Sequence, residues 1–211
     1  KAHYNGLIPR NPFIQFHISP NVKEREYLTE DELKAVMTHE FADSKLAYIR
    51  DIFIFASFTA LSFVDIQELT NDNIVEVNGE KWILSKRHKT KVAFQVKLLD
   101  IPLQIVERYR PMQKDNRIFP GLNYWSICKP LKRMIRECGI TKSISFHCSR
   151  HGFATLALSK GMPIESVSRV LGHTNIVTTQ LYAKITTQKL DNDLTMFGDK
   201  LSKTFNGITM S

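Results

Sequence analysis

The sequence predicts a mainly α-helical domain with one small antiparallel β-sheet, an α+β fold. Three observations predict it. Apolar residues recur at helical period over most of the chain, and the period shortens to two only between about residues 74 and 98. Asn78-Gly79, a strong two-residue hairpin signal, sits inside that short-period stretch. The chain has 211 residues, 43% of them hydrophobic, enough for one ordinary domain with an appended arm and a substantial core.

Pro9, Pro12, Pro20 and Gly6 mark residues 1–22 as a linker, or the end of an upstream domain. The chain begins at Lys1 without a Met, as a fragment of a longer protein would. The first helix starts after Thr29, an N-cap with Glu32 at capping-box spacing, and carries Leu33, Val36 and Met37 at helical period. A longer helix is expected from Ser44 to Thr59; its many apolar residues place it centrally in the core. A short helix follows at Val64–Leu69. Ile74–Val77, Trp82–Leu84 and the alternating Val92, Phe94, Val96 and Leu98 read as strands. Lys86-Arg87-His88-Lys89-Thr90-Lys91 between the last two reads as a hairpin tip too charged to be buried. Helices are expected near 102–110, 124–138, 147–160, 163–171, 175–184 and 187–196, with Pro163 opening and Gly172 closing one of them. The division is 1–22 linker, 23–190 main domain and 191–211 a C-terminal tail.

The formal net charge is +8, but it is unevenly spread. Residues 1–80 carry a net −6, residues 81–150 a net +12 and residues 151–211 a net +2. So basic a middle third suggests a polyanion partner; a merely solvated surface is the alternative. Ile52 to Val64 is too short to span a bilayer. Cys128, Cys138 and Cys148 show no CxxC spacing, which excludes a disulfide scaffold and a zinc-finger pattern. They read as small buried apolar residues in a reducing compartment.

Four segments hold candidate chemistry. His147-Cys148-Ser149-Arg150-His151 opens a helix, with His147, Arg150 and His151 one turn apart. It reads either as a polar first turn on a buried helix or as a metal pair, and metal is the weaker alternative because Arg150 would sit beside the cation. Leu171-Gly172-His173 ends a helix, and Thr174-Asn175 caps the next. Tyr182 falls about two turns into that next helix. Taken singly, His173 reads as a capping histidine, Tyr182 as a core aromatic and Lys89 as a solvated lysine.

In order, these residues resemble one family. "KT" at a basic hairpin tip, then HxxRH at a helix start, LGH, and a Tyr nine residues later are similar to the catalytic domain of the tyrosine recombinases, or phage integrase family. The stretch "FHCSRHGFATLALSKGMPIESVSRVLGHTNIVTTQLYAK" follows the family's pattern almost throughout, as does the order of elements from Tyr27 on, including "YLTEDEL". The resemblance covers about residues 20–190, with "NPF" at 11–13 like the lead-in from the family's upstream domain. One departure stands out. Where the family has a TGLR-like segment with its first catalytic arginine, this chain has Thr59-Ala60-Leu61-Ser62-Phe63. Ser62 occupies the arginine's place, as in some integrases of conjugative and mobilisable transposons. Arg87 and Lys86 are the candidates for a substitute cation.

The resemblance implies cleavage and rejoining of double-stranded DNA through a 3′-phosphotyrosine bond, with Tyr182 as nucleophile, His147 as base, Arg150 and His173 on the phosphate oxygens and Lys89 as general acid. It implies no cofactor and no metal. Lys86, Arg87, Lys91, Lys129, Lys132, Arg133 and Arg136 are the expected DNA-binding residues; the last four fall at helical spacing. The expected assembly is a tetramer on DNA, with accessory DNA-bending proteins conceivable, while the isolated fragment could be a monomer. A cytoplasmic, non-membrane location is expected. Two alternatives stay open: a DNA-binding module with a degenerate site, which Ser62 favours, and a type IB topoisomerase-like enzyme.

Overall fold

The computed structural model describes residues 26–89, 91–113, 115–183, 187–204 and 206, without the side chains of 187–189 and 192. The expected linker at 1–22, Thr90 and Lys184 lie outside them. The order is α1 (Glu30–Thr38), α2 (Ser44–Thr59), α3 (Phe63–Gln67), β1 (Ile74–Val77), β2 (Glu80–Lys86), β3 (Ala93–Lys97), α4 (Asp100–Tyr109), α5 (Tyr124–Glu137), α6 (His147–Ser159), α7 (Ile164–Leu171), α8 (Val177–Gln180) and α9 (Thr187–Thr204). The α+β reading of the sequence therefore holds.

Local chemistry explains the boundaries. Thr29 Oγ1 accepts from the Glu32 N–H (3.2 Å) and the Glu32 carboxylate accepts from the Thr29 N–H (2.7 Å), a complete capping box. α2 is buried on nearly all sides and forms the hub against which α4, α5 and α6 pack. Asp51 on α2 is buried, but its carboxylate accepts from Arg50, Arg108 and the Tyr109 hydroxyl, the last two at 2.7 Å. A buried charge so fully satisfied fixes α4 to α2 rather than penalising the fold.

The sheet is a meander, β1-β2-β3, antiparallel throughout. Asn78 and Gly79 both have positive φ (+52° and +77°), the geometry a two-residue turn of matching twist requires. Ile83 faces Val96 across β2 and β3, both buried, so register is set by the face that meets the core.

Four expectations change. The helix predicted at 175–184 is only the short α8, and Tyr182 lies on the turn after it, its N–H donating to the Thr179 carbonyl (3.0 Å). The β-branched run Ile176-Val177-Thr178-Thr179 disfavours a longer helix. α9 extends well into the expected tail, to Thr204, because Leu190, Leu194, Phe197 and Leu201 continue a helical stripe. Arg87 is buried despite its place at the charged tip, for reasons given below. Cys148 is buried as expected, but Cys128 and Cys138 are only partly so; all three are free thiols. Among the described residues no helix is long and apolar enough to cross a membrane.

Candidate active site

Arg150 organises the site. It lies on the first turn of α6, which buried Phe146 seats in the core. Its guanidinium donates to the Ala60 carbonyl (2.8 Å) and to the Leu171 carbonyl. Ala60 is the left-handed cap of α2 (φ +56°), and Leu171 is the last residue of α7. Both acceptors therefore sit at helix C-termini, where the dipole favours a cation. Neither is a carboxylate. The buried charge is thus held in place without being neutralised by an anion. Burial first, then the charge of Arg87, lowers its pKa to about 10, with Tyr182 and Asp65 opposing. It remains a cation at neutral pH.

Asp65 is the residue that sequence reasoning missed. One oxygen accepts from the Ser62 hydroxyl (2.7 Å) and from Arg87 (2.7 Å); the other accepts from the His88 N–H (3.0 Å). Burial raises its pKa, but the hydrogen bonds from His88, Ser62 and Arg87 outweigh that, and the net direction is down. Ser62 caps α3: its hydroxyl oxygen accepts from the Asp65 N–H (3.3 Å), and the Asp65 carboxylate in turn accepts from the Ser62 N–H (3.2 Å). The one available signal was the capping-box spacing of Ser62 and Asp65.

That carboxylate draws Arg87 inward. The Arg87 side chain is only 5% exposed. It also donates to the Val170 carbonyl (2.5 Å) and lies over the Phe94 ring, 4.1 Å from the centroid. Among the described residues its Nε has no hydrogen-bond partner. Arg87 passes so close to Gly172 that a Cβ there would lie 2.9 Å from Nε, and Gly172 itself has φ +62°. Glycine is needed at that position on both counts. Arg87 is therefore an interior cation, not a surface one.

His173 follows Gly172 and is half-buried. Its Nδ1 lies 2.9 Å from the Thr179 hydroxyl. Burial first, then Arg150, Arg87 and His147, pushes its pKa down from 6.5 to about 4. A Thr179 hydroxyl that donates to Nδ1 would leave the neutral ring's proton on Nε2, available as a donor. The unfolded chain accepts this proton below 6.5 and the folded chain resists it until about 4. The group's stabilisation is therefore present above 6.5 and lost as pH falls towards 4. Denaturant midpoints measured between pH 7.5 and 4 should fall, and His173→Gln should flatten the decline between 6.5 and 4.

Tyr182 is half-buried and packs with Phe153, Ala157 and Val170 around a small apolar cluster that includes Ala154 and Leu171. Its ring centroid is 5.0 Å from that of His151, which lies 4.7 Å from the His147 ring. Arg87, Arg150, His147, His173 and Tyr182 are thus gathered at one place, each electrostatically coupled to another of the set. Lys89 is exposed on the tip, and among the described residues no hydrogen bond or ion pair ties it to this group. The tip is anchored at its base by Asp65 and by His88, whose Nδ1 is 2.8 Å from the Glu68 carboxylate. Lys86 and Lys91 are exposed. Lys129, Lys132, Arg133 and Arg136 lie on the outer face of α5, lining an open cleft with Glu137. Among the described residues no group of three or more His, Cys, Asp or Glu side chains is placed to hold a metal ion.

Buried guanidiniums, a neutral histidine donor and a tyrosine form an arrangement suited to holding a phosphodiester against a phenol. The description "Phage integrase family" matches residues 26–189. A tyrosine recombinase XerD of Listeria monocytogenes is 37% identical over 204 residues, covering 89% of this chain and 67% of the relative. A tyrosine recombinase XerA of Pyrococcus horikoshii is 32% identical over 177 residues, covering 77% of this chain and 58% of the relative. The chain thus spans roughly three-fifths to two-thirds of the length of such relatives. Among solved structures, the Tn1549 transposon integrase in complex with a circular intermediate DNA superposes with a TM-score of 0.77 at 17% identity, covering 92% of this chain and 74% of that one. The XerH site-specific recombinase bound to its difH substrate gives 0.69 at 22%, covering 86% and 56%. These structural likenesses establish the fold, the sequence match establishes the lineage, and the chain belongs to the phage integrase family of tyrosine recombinases.

Proposed function

We propose that the protein to which this chain belongs is a site-specific DNA recombinase that cleaves and rejoins strands through a 3′-phosphotyrosine intermediate. The observation that carries this reading is the Arg150 guanidinium. It is a buried cation whose hydrogen bonds, among the described residues, go to carbonyls and not to a carboxylate, and Tyr182 acts on it electrostatically, so it is preorganised for an incoming anion. The Tyr182 oxygen attacks phosphorus and gives its proton to His147. A new P–O bond forms, the bond to the 5′ oxygen breaks, and Lys89 protonates the departing oxygen. The energy of the phosphodiester is kept in the phosphotyrosine, so no hydrolytic water enters. His173 donates from Nε2 to a non-bridging oxygen. Arg87 takes the role that the residue at position 62 cannot fill, entering from the hairpin instead of from the end of α2.

Lys86, Lys91 and the outer face of α5 contribute to holding duplex phosphates. The assembly is a tetramer on DNA, with residues 1–22 a linker, 23–190 the catalytic domain and 191–211 an appended segment; the location is cytoplasmic. Wild-type chain incubated with nicked duplex carrying a recombination site should give an adduct that survives denaturation. Binding to mixed-sequence duplex should weaken steeply with salt, about tenfold or more between 50 and 200 mM if several phosphates are neutralised. A flat salt response and no adduct would overturn the reading. Relaxation of supercoils without recombination would favour the topoisomerase alternative. Salt-dependent binding with no adduct would favour the degenerate DNA-binding module.

A further inference from the structure

Trp125 is 85% exposed, the most exposed of the large apolar side chains described. It lies on the first turn of α5, and its own N–H is capped by the Asn123 side chain (2.9 Å). The inner face of α5 is fully accounted for by Ile127, Leu131, Met134 and Ile135, all buried. At 100° per residue, Trp125 falls on the opposite face, within about 60° of arc of Lys129, Lys132 and Arg136. All three cations are exposed, and among the described residues no ion pair occupies them. Arg133, at the edge of this face, is drawn to Asp43 (3.2 Å) and Glu137 (3.7 Å).

The indole is also held. Tyr124 meets it edge-on at 6.0 Å, Tyr124 meets Phe63 at 5.3 Å, and Phe63 meets Phe146 at 5.2 Å. Phe63 follows Ser62, and Phe146 precedes His147. A ladder of four rings therefore runs from the floor of the catalytic group to a ring standing in solvent. Trp125 is two ring contacts from Phe63, so it would meet DNA within a few base pairs of the phosphate at Tyr182.

We propose that Trp125 determines sequence specificity: its indole packs against a thymine methyl in the major groove, while Lys129, Lys132 and Arg136 hold the flanking phosphates. This rests on the reading that the chain acts on duplex DNA. A helix about 10–12 Å across fits the major groove, whose edge carries the thymine methyl as its one apolar marker. A second copy of the chain is the poorer occupant, because it would bring like charges together around the ring.

The probe is a duplex library with a randomised segment, selected by the full 211-residue chain and by Trp125→Ala and Trp125→Phe, and read by sequencing. The wild-type chain should enrich thymine at one or two adjacent positions. Trp125→Ala should lose about fourfold of that preference per methyl contact, with its salt slope on mixed-sequence duplex unchanged, and Trp125→Phe should restore much of it. Replacing thymine by uracil at the same position should reproduce the Trp125→Ala result on wild-type protein. No thymine preference, or one that Trp125→Ala leaves intact, overturns the proposal while leaving salt-dependent binding and the proposed function standing. Self-association without DNA that Trp125→Ala abolishes, with base preference unchanged, also overturns it by assigning the face to a second copy. Loss of all salt-dependent duplex binding in the wild-type chain overturns the functional reading itself.

Discussion

Tyr182→Phe should reduce covalent DNA adducts on nicked duplex to background, a loss of about 10⁴-fold or more, as when a nucleophile is removed from other covalent enzymes. Binding should be almost unchanged. The substitution deletes one oxygen and keeps the ring that packs against His151 and the apolar cluster of Ala60, Ala154, Leu158, Val167 and Leu171. Gel-resolved adduct and duplex affinity, measured on one preparation, separate the two effects. Adducts that persist in Tyr182→Phe would move the nucleophile elsewhere; affinity that collapses with them would make Tyr182 a structural residue. The position on a turn after α8, not within a helix, suits the chemistry. A phenol on a turn can approach phosphorus and withdraw after rejoining without unwinding a helix.

Arg87→Ala should slow cleavage by about 10²–10³-fold, the cost of losing one preorganised positive charge near a developing oxyanion. It should also destabilise the fold, because Asp65 would be left buried and unpaired, at a cost of about 3–5 kcal/mol. The two effects are separable. In Arg87→Met with Asp65→Asn, the buried charge is removed from both partners, so stability should largely recover while cleavage stays slow. Adding Ser62→Arg to the Arg87→Met background supplies a guanidinium from the end of α2 and should restore part of the rate. Chemical denaturation and single-turnover cleavage read the two quantities independently. Cleavage that recovers together with stability in the Arg87→Met, Asp65→Asn chain would reduce Arg87 to a structural cation. The reason to expect otherwise is that the Arg87 charge acts on both Arg150 and His173, so it adds positive potential where charge would develop on the phosphate.

The helices with strong local signals were legible in the sequence. The Thr29–Glu32 capping box, the dense apolar run of α2, the Asn78-Gly79 turn and the Gly172 stop each depend on chemistry within a few residues, and each appears in the fold where local rules put it. α8 was less legible, because helical propensity over four residues is too weak to decide against a competing turn. The site divides the same way. Motif order singled out Arg150, His147, His173 and Tyr182 as candidates, but it could not say that Arg150 bonds two helix ends, or that burial and nearby cations lower the His173 pKa.

The charge of the middle third shows most plainly what the sequence determined alone. It predicted a cluster of cations at residues 86–91 and a basic helix at 124–138, because composition and helical spacing need no long-range partner. It could not sort those cations. Lys129, Lys132 and Arg136 stay outside, and Arg87 goes in, because Asp65, twenty-two residues earlier, offers it a buried carboxylate and Phe94 a ring. Burial of a charge is settled by the partner it meets, and only the tertiary structure brings that partner to it.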